Sequence, residues 1–143
     1  MSLDLQSKAE AATKALVDAV GLSGVTVFTG LEDETQALPA VFCIAENFNQ
    51  ELQGVGNYRG TIRVRVKSNA NDTTLADHRT RAASVFDALV IETLSTALTA
   101  AVADFTCQFI FSFQLEQSVT DGQSFNSGLL IEGIFCGSTL AGY

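Results

Sequence analysis

The chain has 143 residues, a net charge of −8, and 47% hydrophobic against 17% charged residues. This length fits a single domain spanning residues 1–143, and the apolar share is enough for a core, which argues against intrinsic disorder. The acidic balance argues against tight nonspecific binding of nucleic acid, because such binding requires Lys and Arg to neutralise phosphates. No apolar run reaches the roughly 18 residues of a membrane span, so no membrane association is expected.

The first half of the chain is predicted to form a helix and three strands. The helix is indicated by apolar residues at steps of three and four, which are Leu5, Ala9, Ala12, Leu16 and Val20. Residues 25–29 then form a short β-branched strand. Residues 40–45 form a strand that is apolar on both faces and is therefore predicted to be central. Residues 46–57 are predicted to be a loop.

The third strand, residues 58–67, alternates between two kinds of side chain. One face carries Tyr58, Gly60, Ile62, Val64 and Val66. The other face carries Arg59, Thr61, Arg63, Arg65 and Lys67. The pattern predicts a buried face and a cationic face.

Two helical segments and a hairpin are predicted for the second half. Thr74 followed by Asp77 resembles a capping box and starts a helix over residues 74–91. Its inward residues are predicted to be Leu75, Ala82, Phe86 and Leu89. A further helical piece covers residues 93–102, and no Gly or Pro marks the break. Strands over 105–116 and 125–136 form the hairpin, and a tail follows from residue 137.

A period-two pattern in the first hairpin strand predicts one buried face. Its members are Phe105, Cys107, Phe109, Phe111, Phe113 and Leu115, and Ile110 alone breaks the pattern on the other face. Since helices and strands do not alternate strictly, an α+β fold is favoured. We expect a mostly antiparallel sheet with two or three helices packed on one face and a C-terminal β-hairpin.

Cys43, Cys107 and Cys136 are odd in number and widely spaced, and each lies in an apolar, strand-like run. Cysteine in such a run usually packs as a small hydrophobe. The N-terminus is polar and helical in pattern, unlike a signal peptide. Free thiols in a reducing cytoplasm are therefore expected.

Charge is distributed unevenly along the chain. Residues 59–81 carry six basic and two acidic residues, whereas residues 1–58 and 82–143 each have a net charge of −6. A polarised surface of this kind suits an oriented contact with a complementary partner.

This layout resembles the tail-terminator or tail-completion family of long-tailed phages, which are minor tail proteins. The resemblance is carried by the opening helix and strand, by Leu38-Pro39 leading into an apolar strand, and by the basic strand. It continues in the following helix with Asp77-His78 and residues 85–89, and it spans nearly the whole chain.

The resemblance implies a structural protein of the virion tail or neck, made in the host cytoplasm. It implies a hexameric ring that caps the tail tube and joins it to the head connector. Its partners would be further copies of itself, the tail tube protein and the connector proteins, and DNA would pass through the lumen without specific binding. Another neck, head-completion or tail tube component is the alternative.

The candidate subunit interface pairs a cationic row with acids of a neighbouring copy. The row is Arg59, Arg63, Arg65 and Lys67, and the acids are Glu32, Asp33 and Glu34. Two other interpretations stay open. The charges protect a sheet edge from aggregation, or the arginines face DNA in a ring lumen.

No catalytic, cofactor or metal site is predicted. His78 is expected to pack or to cap a helix. A small Cys/His enzyme would use Cys43 with His78, but Cys43 lies within an apolar strand and no oxyanion loop follows it. One His and three scattered Cys also lack the spacing of metal ligands.

Overall fold

The computed structural model describes residues 2–30, 38–50, 56–71, 73–120 and 122–137. The elements, in chain order, are α1 (Ser2–Asp18), β1 (Thr26–Thr29), β2 (Ala40–Gln50), β3 (Asn57–Asn69), α2 (Leu75–Leu89), α3 (Leu94–Ala101), β4 (Thr106–Thr120) and β5 (Ser124–Cys136). The strands form one sheet in the order β1-β2-β3-β5-β4. The β1–β2 pair is parallel and the other three pairs are antiparallel. The predicted α+β class and the C-terminal hairpin are confirmed.

The three helices pack on one face of the sheet and enclose the main core. From the sheet this core takes Ile62, Val64, Val66, Leu129, Ile131 and Phe135, and from the helices Leu5, Ala9, Ala12, Val85, Leu89 and Leu98. The ring of Phe135 lies between those of Phe48, at 5.2 Å, and Phe105, at 5.9 Å. Burial of the large apolar side chains in this layer is the main favourable term that holds helices to sheet.

The second helix begins as predicted, since the Thr74 hydroxyl accepts a hydrogen bond from the Asp77 N–H at 3.1 Å. Its predicted inward residues Ala82, Phe86 and Leu89 are buried, but Leu75 is 38% exposed, so that assignment is wrong. Leu75 is the first residue of α2, and the buried stripe of the helix begins one turn later, at His78.

An 87° bend separates α2 from α3. The sequence predicts two helical pieces here but does not indicate where the break lies. The Val90 N–H still donates to the Phe86 carbonyl at 2.8 Å, and the chain then turns before Leu94. In the described ranges, no single helix is long and apolar enough to cross a membrane, and α2 with α3 meets that test only if the two are joined across the bend.

Strand β2 is longer than predicted, because residues 46–50 belong to the strand and not to a loop. The register shifts between Glu46 and Asn49, and Asn47 has a left-handed φ of 58°. A bulge of this kind interrupts the period of two. The polar residues from Glu46 therefore resemble a loop in the sequence although they belong to the strand. Residues 51–55 of the predicted loop, and the predicted tail after Gly137, lie outside the described residues.

The prediction of one buried face in β4 is wrong. Phe105 and Cys107 are buried, but three members of the predicted face are exposed, namely Phe109 at 56%, Phe111 at 41% and Leu115 at 65%. Register shifts after Cys107 and after Ile110 reset the alternation, and β4 is an edge strand with fewer neighbours to cover it. Ile110, the residue that broke the pattern, packs against the core.

Candidate assembly surface

The predicted cationic row lies on the sheet face that the helices leave uncovered, which we call the helix-free face. Because Ile62, Val64 and Val66 of β3 point into the main core, the alternating residues Arg59, Arg63, Arg65 and Lys67 lie opposite them. Strand β3 is the middle strand of the five. The interpretation that these charges protect a sheet edge is therefore wrong.

Arg63 joins three strands through two ion pairs. Its guanidinium donates to Glu46 of β2 at 3.1 Å and to Glu116 of β4 at 2.9 Å. Burial by itself would lower the pKa of Arg63, but Glu46 and Glu116 outweigh it and raise that pKa above its ordinary value. The pairs fix the relative positions of β2, β3 and β4 on the helix-free face.

Gly128 makes the Arg63–Glu116 contact possible. It lies in β5, paired with Arg65 of β3 on one side and with Glu116 of β4 on the other. A Cβ atom at this position would lie 2.3 Å from the Glu116 carboxylate oxygen Oε1. Glu116 therefore reaches Arg63 by crossing a residue that has no side chain.

Gly128→Ala is expected to act mainly through Glu116. In a Glu116→Ala background, Gly128→Ala should be neutral or stabilising, since glycine weakens a strand interior. In the wild-type background, the change in the free energy of unfolding caused by Gly128→Ala should be less favourable by about 1 kcal/mol, because the displaced Glu116 carboxylate loses its ion pair with Arg63. Urea unfolding of the four proteins in this cycle measures the coupling. Equal effects of Gly128→Ala in the two backgrounds would contradict the passage of the Glu116 side chain over Gly128.

Arg59 connects β3 to the edge strand. It pairs with Glu132 of β5 at 3.3 Å, and its guanidinium carbon lies 4.4 Å from the centre of the Phe111 ring. Both pairing side chains are well exposed, so the ion pair adds little stability, and the ring contact adds a modest amount. Arg65 and Lys67 also have interactions within the chain.

These contacts alter what the cationic row presents to a neighbour. Arg59 and Arg63 already have carboxylate partners in their own chain. The acids predicted to meet the row, Glu32, Asp33 and Glu34, lie outside the described residues. The interface prediction stays a prediction, and the simple form in which four unpaired cations meet an acidic neighbour loses support.

An apolar surface that the sequence assigned to the core lies along β4. In the described part of the chain, β4 pairs with β5 alone, so its other edge has no strand partner, although the Cys107 N–H donates to the Thr99 hydroxyl at 3.0 Å. Residues 105–115 contain no charged residue. The Phe109 and Phe111 rings meet edge to face at 5.1 Å. We call the exposed Phe109, Phe111 and Leu115 with this strand edge the β4 edge.

A groove follows the β4 edge on its helix side. Ile91, Glu92 and Ser95 at the α2–α3 junction line one wall, and residues 109–113 line the other, around a volume of about 310 Å³. Long, exposed, apolar edge strands are usually shielded in monomeric proteins, because they pair with other chains. The irregular Ile110 was the sequence signal that this strand does not bury one face.

His78 lies in a buried polar cluster between α2 and the sheet. Its Nδ1 is 2.8 Å from the Ser68 hydroxyl of β3, and its Nε2 is 2.9 Å from the Ser127 hydroxyl of β5. Arg81 also donates to the Ser68 hydroxyl. Burial, with a smaller contribution from Arg81 and Arg79, lowers the pKa of His78. A neutral His78 thus fastens α2 to two strands, which is the packing role predicted.

The cysteines are buried free thiols, as predicted. Burial, reinforced by Asp18 and Glu10, raises the pKa of Cys43 to about 12, which disfavours the thiolate that a nucleophile requires. The hydrogen-bond partners of His78 are serines and not Cys43. Among the described residues, no group of three or more His, Cys, Asp or Glu is placed to hold a metal ion.

No family model matches the chain, and a search of curated proteins gives no significant match. A search of solved structures finds a protein that superposes with a TM-score of 0.55 and covers 96% of each chain at 18% sequence identity. Likeness at this identity shows a shared fold over nearly the whole chain and nothing further about activity or partners.

Proposed function

We propose that this chain is a ring-forming structural subunit at the end of a phage tail, which caps the tail tube and joins it to the head connector. The observation that carries the proposal is the β4 edge, where three apolar side chains are exposed along a strand that, among the described residues, has a neighbouring strand on one side only. Such an edge favours contact with another protein chain.

The order of elements supports the same proposal. A helix, a short strand, the strand after Leu38-Pro39, the basic strand, a helix pair and a final hairpin follow one another as in the tail-terminator layout. On this proposal the subunit forms a hexamer, contacts the tail tube and connector proteins, and lets DNA pass through its lumen. An unpaired edge also suits an open polymer, which makes a tail tube component the second candidate.

Light scattering after size exclusion, with negative-stain images, tests the proposal. We expect closed rings with a mass several times that of the 15.2 kDa chain. The sample is measured alone and after addition of purified tail tubes, on which some ring proteins assemble. A strict monomer in both samples would reject the ring, and open tubes instead of closed rings would favour the second candidate.

A further inference from the structure

The two edges of the sheet run in opposite directions. Following the pairings from β1 through β2, β3 and β5 shows that β4 is antiparallel to β1. Copies related by rotation about an axis along the strands therefore bring β4 of one copy beside β1 of the next as an antiparallel pair. A contact between two different surfaces repeats head to tail, and it closes into a ring when the rotation closes.

The β4 edge suits contact between copies that repel one another. Each copy has a net charge of −8, so close approach is least unfavourable where the meeting surfaces carry no net charge. Residues 105–115 are uncharged and the neighbouring Arg59 is neutralised by Glu132, so Glu92 in the groove wall adds a single negative charge. The two exposed Phe rings alone offer on the order of 200 Å² of apolar surface.

Among the described residues, the β1 edge is also largely apolar, with the Glu10 carboxylate nearby on the adjoining part of β2. Val27 faces the helices, and Phe28 stacks on Phe42 at 5.5 Å on the helix-free face. A small cleft between β1 and the end of α1 has a volume of about 60 Å³. Its lining residues are Val17, Asp18, Gly21, Leu22, Val25 and Val27. The acid in this lining, Asp18, is paired with Lys14 at 2.6 Å.

The register places an apolar side chain of β4 at the level of β1. Across the sheet the pairs are Leu115–Leu129, Leu129–Val64, Val64–Cys43 and Cys43–Thr29. Leu115 lies on the helix side, as Leu129 and Val64 do, and it is 65% exposed. With no shift along the strands, Leu115 of one copy therefore arrives beside Thr29, at the end of β1, in the next copy.

The exposed Phe residues lie further along β4. Across the sheet, Phe109 pairs with Ile134, Ile134 with Arg59, and Arg59 with Asn49. Phe109 is therefore level with the part of β2 that, among the described residues, extends beyond the end of β1. In an edge-to-edge contact the aromatic pair meets this outer part of β2. Part of this outer edge is already engaged within the chain, because the Ala45 N–H donates to the Glu10 carboxylate at 2.9 Å.

We propose that copies of this chain join edge to edge, with β4 of one copy paired against β1 and the adjoining β2 of the next, and with Leu115 packed beside Thr29 at the β1 edge. The inference rests on the proposed ring and names the surface that builds it. Its occupant is a second copy of the same chain.

Two variants with complementary defects test this contact. Phe111→Glu with Leu115→Glu disables the β4 edge, and Thr26→Glu with Thr29→Glu disables the β1 edge. All four side chains are exposed, so each variant is expected to fold, which circular dichroism checks. Leu75→Glu is the matched control, because Leu75 is an exposed apolar residue of α2 away from both edges.

Each double variant alone is expected to remain monomeric, whereas Leu75→Glu assembles as the wild type does. A 1:1 mixture of the two double variants should form a dimer and stop there, since one intact β1 edge meets one intact β4 edge. Native mass spectrometry reads this directly. The inference is overturned if either variant still builds the full assembly, or if the mixture stays monomeric under the conditions in which the wild type assembles.

Other outcomes separate this inference from the proposed ring. Dimers of the β1 variant alone would show that β4 pairs with itself, which rejects the head-to-tail contact. If the wild type assembles and both variants assemble equally, the ring stands and the contact is wrong. If the wild type is monomeric both alone and with tail tubes, the ring fails and the contact fails with it.

Discussion

Replacing Phe135 by alanine is expected to lower the free energy of unfolding by about 3–5 kcal/mol. Phe135 is completely buried and lies between the Phe48 and Phe105 rings, so its removal leaves a cavity that two stacked neighbours line. Small domains have a total stability of roughly 5–15 kcal/mol, so this loss is a large share of it.

Phe109→Ala is the matched control for this prediction, because it removes the same side chain from a site that is 56% exposed. Its expected effect on the isolated chain is below about 1 kcal/mol. Urea unfolding at low protein concentration measures both variants without a contribution from assembly. Equal losses would contradict the assignment of Phe135 to the core and of Phe109 to the surface.

Replacing His78 by leucine is expected to lower stability at neutral pH by about 2–4 kcal/mol, since two buried serine hydroxyls each lose one hydrogen bond and the imidazole between them is lost. Both Ser68 and Ser127 are affected, although Arg81 still reaches Ser68. Because glutamine keeps a donor and an acceptor, His78→Gln should lose less.

The effect of His78→Leu should also depend on pH. The pKa of His78 is lowered on folding, so its stabilising contribution is complete above the ordinary value of 6.5. That contribution falls as the pH drops through the lowered pKa, with a limiting slope of about 1.4 kcal/mol per pH unit. Unfolding measured from pH 7.5 to 5 should show the wild type and His78→Leu converging. A constant difference would contradict a neutral, buried His78.

Much of the fold follows from local patterns in the sequence. The alternation in β3 predicts correctly which side chains are buried, because its register with β5 runs unbroken from Asn57 to Asn69. The Thr74 cap likewise depends on residues three positions apart. Where pairing is regular or interactions are local, sequence periodicity is sufficient to predict the structure.

The errors fall where long-range pairing overrides the local pattern. The Phe109 and Phe111 side chains are exposed because bulges in β4 shift its register against β5. The ion pairs of Arg63 with Glu46 and Glu116 join residues far apart in sequence, and their geometry depends on Gly128 in a third strand. None of these relations has a local signature, so the cationic row was predicted and its intrachain partners were not.

Hydrogen exchange of the backbone amides in β4 tests the central claim most directly. Among the described residues, the outward amides of this edge strand lack strand partners, and apart from Cys107, whose N–H donates to Thr99, they should exchange quickly in the separated chain. In the assembled particle they should be protected together with those of β1. Equal exchange of β4 in the two forms would show that the subunits meet elsewhere and would contradict an assembly built through this edge.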